Sequence, residues 1–366
     1  MKLRKVIISG GGTGGHIFPA LSIADELRRK HPNVDILFVG AIGRMEMEKI
    51  PQAGYKIEGL NIAGLHRSLS LKNLSFPIKL VSSLLKAGKI LDRFKPDVVI
   101  GVGGYASGPL LFMAQKKSIP TLIQEQNSFP GITNKLLAKR VNTICVAYEK
   151  LDNFFPKEKI VFTGNPVRAN ILNADHKREE ALQHFGLDSG KPVLLCVGGS
   201  LGARSINQAV LAGYQKIIDA GYQLIWQTGK LFYSQNELDL KQLPKEIVVQ
   251  PFIREMDLAY AAADLVVSRA GALAITELCI VGKPAILVPS PYVSEDHQTK
   301  NAQALVSKHA AVMVSEADAS TMLIEESIKL LNNAGKRAEL SGKIREIARP
   351  LATEAIVNEI EKLVMA

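Results

Sequence analysis

Val6-Ile-Ile-Ser-Gly-Gly-Gly-Thr-Gly-Gly-His-Ile-Phe-Pro-Ala-Leu-Ser-Ile-Ala-Asp-Glu-Leu27 decides the fold. Val6 to Ile8 read as a buried strand. Gly10 to Gly15 cannot continue it, because all but Thr13 lack a Cβ. Residues 17–27 then read as an amphipathic helix. Strand, glycine-rich loop and helix are the grammar of a place where backbone N–H groups and a helix N-terminus approach an anion. The spacing is not a clean G-x-G-x-x-G, and no P-loop Gly-Lys-Ser/Thr follows. A dinucleotide fold or an ATPase is therefore not the first reading. A tight turn without a ligand is the plainer alternative.

The grammar recurs. Val193-Leu-Leu-Cys-Val-Gly-Gly-Ser-Leu-Gly-Ala-Arg-Ser-Ile-Asn207 repeats it in the second half, and Val98-Val-Ile-Gly-Val-Gly-Gly-Tyr-Ala-Ser-Gly-Pro109 lies between. A chain of 366 residues also exceeds what one core usually supports, about 250–300 residues. The expectation is an α/β protein with two Rossmann-like domains facing across a cleft.

Further strands are expected at 35–39, 121–124, 143–146 and 160–163, then at 223–227, 247–250, 265–268, 285–288 and 311–313. Alternation with helical patterns implies parallel sheets covered on both faces. Gly164-Asn-Pro-Val-Arg168 breaks the pattern and suggests a hinge at 164–166. The expected domains are 1–164 and 165–349. The last helix, within 350–366, is expected to pack back on the first.

Cys145, Cys196 and Cys279 are scattered in apolar runs and read as reduced core thiols. No metal-ligand spacing is visible. The basic N-terminus leads straight into the first strand, so no signal peptide is expected. No apolar run reaches the roughly 18 residues of a membrane span. Residues 1–164 carry 24 Lys/Arg and 12 Asp/Glu, whereas 165–366 carry 21 and 23. One domain only is therefore suited to an anionic surface or ligand. The basic segments lack aromatic interleaving and any helix-turn-helix, zinc-finger or RNA-recognition signature, which argues against nucleic acid.

In residues 69–95, Ile78, Val81, Leu84/Leu85, Gly88 and Leu91 fall on one helical face and lysines on the other. This reads as an ordinary surface helix. Before it, Leu69, Leu71, Leu74 and Phe76 lie in a lysine-containing loop that fits shallow insertion at an anionic membrane surface.

Several residues could carry chemistry. His16 leaves the first glycine loop at a strand's carboxyl end, where α/β sheets bind ligands. It could serve as a general base, contact a phosphate, or hold a neighbouring loop. Gln124-Glu125-Gln126-Asn127 ends another strand, and Glu125 is a second candidate base, or else a helix cap. In Ser268-Arg-Ala-Gly-Ala-Leu-Ala-Ile-Thr-Glu277 a small-residue turn enters a helix. Its N-terminus suits a diphosphate, and Glu277 suits a ribose diol or caps the helix. Pro289-Ser-Pro-Tyr-Val-Ser-Glu-Asp-His-Gln298 could read sugar hydroxyls or be a solvated helix start.

Together, Gly10-Gly-Gly-Thr-Gly-Gly-His16, Gly101-Val-Gly-Gly-Tyr-Ala-Ser-Gly-Pro109, Glu125-Gln-Asn127, Gly164-Asn-Pro-Val-Arg168, Gly198-Gly-Ser-Leu-Gly-Ala203 and Arg269-Ala-Gly-Ala-Leu273 closely resemble the peptidoglycan N-acetylglucosaminyltransferases. These are two-domain GT-B enzymes of glycosyltransferase family 28. The likeness runs in order from residue 6 to about 302. It implies transfer of N-acetylglucosamine from UDP-N-acetylglucosamine to the muramyl 4-hydroxyl of lipid I, giving lipid II and UDP with inversion. It also implies no cofactor or metal, a peripheral place on the cytoplasmic face of the membrane, and cell-wall synthesis proteins as partners.

Donor-binding positions of the family fall on Thr13, Gly14, Gly15, Asn127, Arg168, Ser200, Ile253, Ala272, Leu273, Ala274, Ile275, Thr276, Glu277 and Gln298. The resemblance places Ile253 near uracil, Glu277 on the ribose, and Asn127 and Gln298 on the sugar. His16 and Glu125 fall on the acceptor side, either one the catalytic base. The chain departs from the family at His297-Gln298, where a Gln pair is usual, and at Ala270, where Ser is common. Neither change removes a group the chemistry needs. Other layouts of this kind belong to other GT-B transferases and to UDP-N-acetylglucosamine 2-epimerases; a non-catalytic lipid-binding protein is the remaining alternative.

Overall fold

The structure, a computed structural model, describes residues 3–62, 76–293 and 296–365. The chain divides into two compact units: residues 1–168 with 351–366, and residues 169–350.

Unit 1 holds seven strands: β1 Lys5–Ser9, β2 Asp35–Ala41, β3 Lys56–Leu60, β4 Val98–Gly101, β5 Thr121–Glu125, β6 Thr143–Val146 and β7 Ile160–Phe162. Every pairing is parallel, in the order β3-β2-β1-β4-β5-β6-β7. Parallel strands need helices on both faces, so the central strands β1, β4, β5 and β6 are almost wholly buried, while the edge strands β3 and β7 are partly exposed. Along β1 the side chains alternate: Ile7 packs under the helices Phe76–Phe94 and Ser107–Lys116, while Val6 and Ile8 pack under Gly14–Lys30 and Ala352–Met365. Ile356, Val357 and Ile360 place the last helix in that second layer. His31 and Glu361 (2.8 Å) and Lys30 and Asn358 (2.6 Å) tie it to the first helix.

Unit 2 repeats the plan with β8 Val193–Val197, β9 Gln223–Gln227, β10 Ile247–Gln250, β11 Leu265–Ser268, β12 Ala285–Leu287 and β13 Val312–Met313. The order is β10-β9-β8-β11-β12-β13, again all parallel. In both sheets the winding reverses once, between β1 and β4 and between β8 and β11. Helices leave in opposite directions there and open a crevice at the strands' carboxyl ends.

Two sequence expectations are corrected. β3 was not anticipated, because Lys56-Ile-Glu-Gly-Leu60 has two charges and a glycine in five residues. As an edge strand its first residues are partly exposed, so no continuous apolar run is required. In the helix Phe76–Phe94 the buried stripe is Ser83, Ala87, Gly88, Ile90 and Leu91. Ile78, Val81 and Leu85 face solvent at 75, 56 and 64 % exposure. Small Ser83, Ala87 and Gly88 let the helix sit close, which turns the larger apolar residues outward. Phe76 is the first residue of that helix and packs partly against the core. Leu69, Leu71 and Leu74 lie outside the described residues.

The three cysteines are free and buried. Burial pushes all three thiols up, Cys279 to about 12. Among the described residues, no helix is long and apolar enough to cross a membrane, and no group of His, Cys, Asp and Glu is arranged to hold a metal.

Candidate functional site

Both reversal points carry the glycine-rich turns picked out in the sequence. In unit 1, β1 ends in Gly10 to Thr13 and the first helix starts at Gly14, with His16 in its first turn. No side chain caps this helix and no acid lies in its first turn. His16 Nδ1 lies 3.0 Å from the Gly11 carbonyl. A carbonyl only accepts, so Nδ1 carries the proton and Nε2 is the basic nitrogen. The imidazole lies close against the turn after β4: a Cβ on Gly103 would sit 2.7 Å from Nε2. Gly103 and Gly104 also have positive φ, 97° and 90°, so glycine is required there on both counts.

Sequence reasoning missed Glu46. Its carboxylate is 1 % exposed and accepts from the N–H groups of Gly12 (2.7 Å) and Ala41 (3.0 Å). One loop N–H expected to face an anionic ligand is thus already committed. The signal was a Gly40/Glu46 pairing across a turn, which no spacing rule marks.

Glu125 is also buried, at 2 % exposure. Oε1 accepts from the backbone N–H (3.0 Å) and amide (3.2 Å) of Asn127. Oε2 accepts from Gly131 N–H (3.2 Å) and the Asn134 amide (2.8 Å). Four donors on one carboxylate make it the organiser of the loop that presents Asn127. Beside it, Gln124 and Gln126 form a buried amide network with Asn165, fixing the Gly164–Asn165 crossover to β5. Arg168 lies over the Phe18 ring, 5.3 Å from its centre, one half-turn past His16. Thr13, which precedes the first helix, and Gly15, in its first turn, are exposed.

In unit 2 the turn after β8 exposes Gly199 and Ser200. It interlocks with the turn after β9: a Cβ on Gly202 would lie 2.0 Å from the Thr228 carbonyl, and one on Gly229 2.3 Å from the Leu201 carbonyl. Gln227 is buried at the end of β9; its amide donates to Gly199 O (2.9 Å) and its carbonyl accepts from Ile253 N–H (2.8 Å). The Ile253 side chain is core.

After β11, the extended residue Gly271 opens the helix Ala272–Val281, again with no side-chain cap and no acid in the first turn. Thr276 closes back on the Ala272 carbonyl, and buried Glu277 accepts from the Tyr260 hydroxyl at 3.1 Å. Arg269 pairs with Glu316 and donates to the Val288 carbonyl, stapling the ends of β11 and β12. Burial works upward on the Glu316 carboxyl, but hydrogen bonds from Arg269 and Ser205 outweigh it, so it titrates below the usual range. Gln298, in the first turn of His297–Val306, accepts from Ser290 N–H at 2.9 Å. Glu295 lies outside the described residues.

Both units are parallel-sheet α/β domains with a glycine-rich turn at the winding reversal, the plan of two Rossmann-like domains in one chain. Residues 6–146 match the glycosyltransferase family 28 N-terminal domain and residues 193–354 the family 28 C-terminal domain. The chain is similar to a protein of Cytophaga hutchinsonii, 54 % identical over 361 residues, spanning 98 % of this chain and 97 % of the relative. It is 53 % identical to one of Flavobacterium psychrophilum, over 100 % of this chain and 99 % of that one. Both are named UDP-N-acetylglucosamine–N-acetylmuramyl-(pentapeptide) pyrophosphoryl-undecaprenol N-acetylglucosamine transferase. The crystal structure of Acinetobacter baumannii MurG superposes with a TM-score of 0.76 at 29 % identity, covering 98 % of this chain and 99 % of that one. The chain belongs to glycosyltransferase family 28.

Proposed function

We propose that this enzyme transfers N-acetylglucosamine from UDP-N-acetylglucosamine to the 4-hydroxyl of the muramyl sugar in undecaprenyl-diphospho-muramoyl-pentapeptide, forming lipid II and UDP. The observation that carries this reading is full-length identity above one half to relatives named for that reaction. Both matched domains are those of glycosyltransferases, which favours transfer over 2-epimerisation.

The acceptor oxygen attacks C1 of the donor sugar as the C1–O bond to the diphosphate breaks, inverting the anomeric centre. His16 Nε2 takes the hydroxyl proton. It is preferred to Glu125, whose oxygens are filled by four donors. Glu125 instead holds Asn127 toward the sugar. A positioned base contributes roughly 10²–10⁴-fold. Within unit 2 the leaving diphosphate is stabilised by the uncapped start of the helix Ala272–Val281 and by Ser200; in unit 1, Thr13, Gly14, Gly15 and Arg168 are the positions that the family resemblance assigns to donor binding. Ala272, Leu273, Ala274, Ile275 and Thr276 supply that first turn. Ile253 meets uracil through its main-chain carbonyl, since its side chain is buried and its N–H is taken by Gln227. Glu277, held by Tyr260, takes the ribose diol, and Gln298 the sugar.

The protein works at the cytoplasmic face of the membrane. Exposed Ile78, Val81 and Leu85 with Ser82, Lys86 and Lys89 line one surface of unit 1. Apolar residues ringed by lysines fit shallow insertion among anionic headgroups, and residues 1–164 hold the basic surplus.

The test is transfer of labelled N-acetylglucosamine to a short-chain lipid I analogue with EDTA present. Labelled disaccharide product is expected. UDP-N-acetylglucosamine binding without product would mean a different acceptor, and activity abolished only by EDTA would mean metal-assisted departure of UDP.

A further inference from the structure

The peptide group that joins Gly11 to Gly12 carries two hydrogen bonds of opposite sense. Its N–H, on Gly12, donates to Glu46 Oε2 at 2.7 Å. Its carbonyl, on Gly11, accepts from His16 Nδ1 at 3.0 Å. A trans peptide is planar, so its N–H and C=O point away from each other on one rigid plate. Glu46, the peptide and His16 therefore stand in series.

We propose that Glu46 is a positioning residue for the proton-accepting His16, acting through the Gly11/Gly12 peptide. The inference rests on the reading of His16 as base given above.

The surroundings are built for this arrangement. Glu46 is buried, and a buried carboxylate needs its lone pairs occupied. Its second oxygen is taken by Ala41 N–H at the end of β2, which anchors the side chain to the sheet. Room for the carboxyl exists because two neighbours are glycine. A Cβ on Gly11 would lie 2.2 Å from the carboxyl carbon, and one on Gly40 2.6 Å from Cγ. Neither glycine has a positive φ, so space rather than backbone conformation demands them. On the far side, a Cβ on Gly104 would lie 2.6 Å from the Gly11 oxygen. Glycines on three sides thus hold the peptide between the carboxylate and the β4 turn.

The chemistry follows from polarisation. A carboxylate pulling on the N–H makes the carbonyl of the same peptide a stronger acceptor. That fixes the Nδ1–H tautomer and leaves Nε2 as the base. When Nε2 takes the acceptor proton, the imidazolium forms in the first turn of a helix, where the positive end of the dipole opposes it. The negative charge of Glu46 offsets that opposition. The arrangement resembles a carboxylate–histidine pair with one peptide inserted. Glu46 keeps its charge throughout and exchanges no proton.

The experiment is a kinetic double-mutant cycle on the full chain, with saturating UDP-N-acetylglucosamine and a soluble lipid I analogue. Glu46→Gln keeps the shape, but its single carbonyl can accept only one of the two N–H groups. In the His16 background kcat should fall about tenfold, within the coupling range of groups in one network. In the His16→Ala background the same change should cost nothing further, and UDP affinity should hold within about twofold in both. Nitrogen-15 spectra of the histidines should show His16 losing its single Nδ1–H tautomer. Equal losses in both backgrounds would overturn the proposal and leave Glu46 a purely structural residue; so would unchanged turnover of Glu46→Gln. Near-normal turnover of His16→Ala would instead remove the base reading, a separate outcome. If Glu46→Gln melts before assay, Glu46→Asp, which keeps the charge but reaches less far, enters the same cycle. A smaller loss that also vanishes with His16→Ala is then expected, and a loss independent of His16 overturns the proposal.

Discussion

The winding reversals of units 1 and 2 are the same place in the same topology, yet they hold different chemistry. At β1/β4 a titratable ring lies on a glycine turn, backed by a buried carboxylate. At β8/β11 the turn after β8, interlocked with the turn after β9, and the uncapped helix after β11 offer backbone dipoles, and the Glu277 and Glu316 carboxylates are held by Tyr260 and by Arg269. On the proposed reading, one edge moves a proton and the other holds an anion and a diol. The fold supplies a crevice in each case; the side chains at its lip decide its use.

The comparison can be broken most sharply at His16. His16→Ala should lower kcat by at least the roughly hundredfold of a lost acid–base group, with UDP affinity little changed. Turnover within a few-fold of wild type would leave unit 1 without a proton acceptor. Glu277→Ala should do the reverse. Loss of a hydrogen-bonded charged partner predicts roughly tenfold weaker binding of UDP and UDP-sugar together, measured by calorimetry, with kcat at saturation nearly intact. An unchanged UDP affinity would remove the ribose assignment. The smallest effect concerns the surface of unit 1 alone. Replacing Ile78, Val81 and Leu85 together by Ser should reduce sedimentation with anionic vesicles while sparing a soluble acceptor analogue. These side chains are exposed, so stability should change by no more than about 0.5 kcal/mol per site. If activity toward the soluble analogue falls equally, the face serves the fold rather than a lipid surface.

Much of this was legible in the chain. Short apolar runs alternating with helical patterns marked twelve strands, several of them ended by glycine, because parallel strands buried on both faces are apolar along most of their length. The same runs ended at the turns that carry His16, Ser200 and Ala272. β3 was not legible, since an edge strand exposed on one side may carry charge. The outward face of the helix Phe76–Phe94 was misread for a related reason. Periodicity finds the apolar stripe, but small residues let a helix pack by a face that hydropathy ranks second.

The sequence by itself determined the two α/β domains, the position of each glycine turn and the candidates for base and donor binding. The domains and turns follow from local periodicity and from residues without a Cβ, whereas the donor-binding set follows from the resemblance to the family. Only the tertiary structure decided what the candidates touch. Glu125 became a loop organiser when Asn127, Gly131 and Asn134 converged on it, and Glu46, at the start of the helix Glu46–Gln52, reached Gly12 from 34 residues away in the chain. A carboxylate's role is set by the donors that reach it in space, and sequence spacing does not encode that distance.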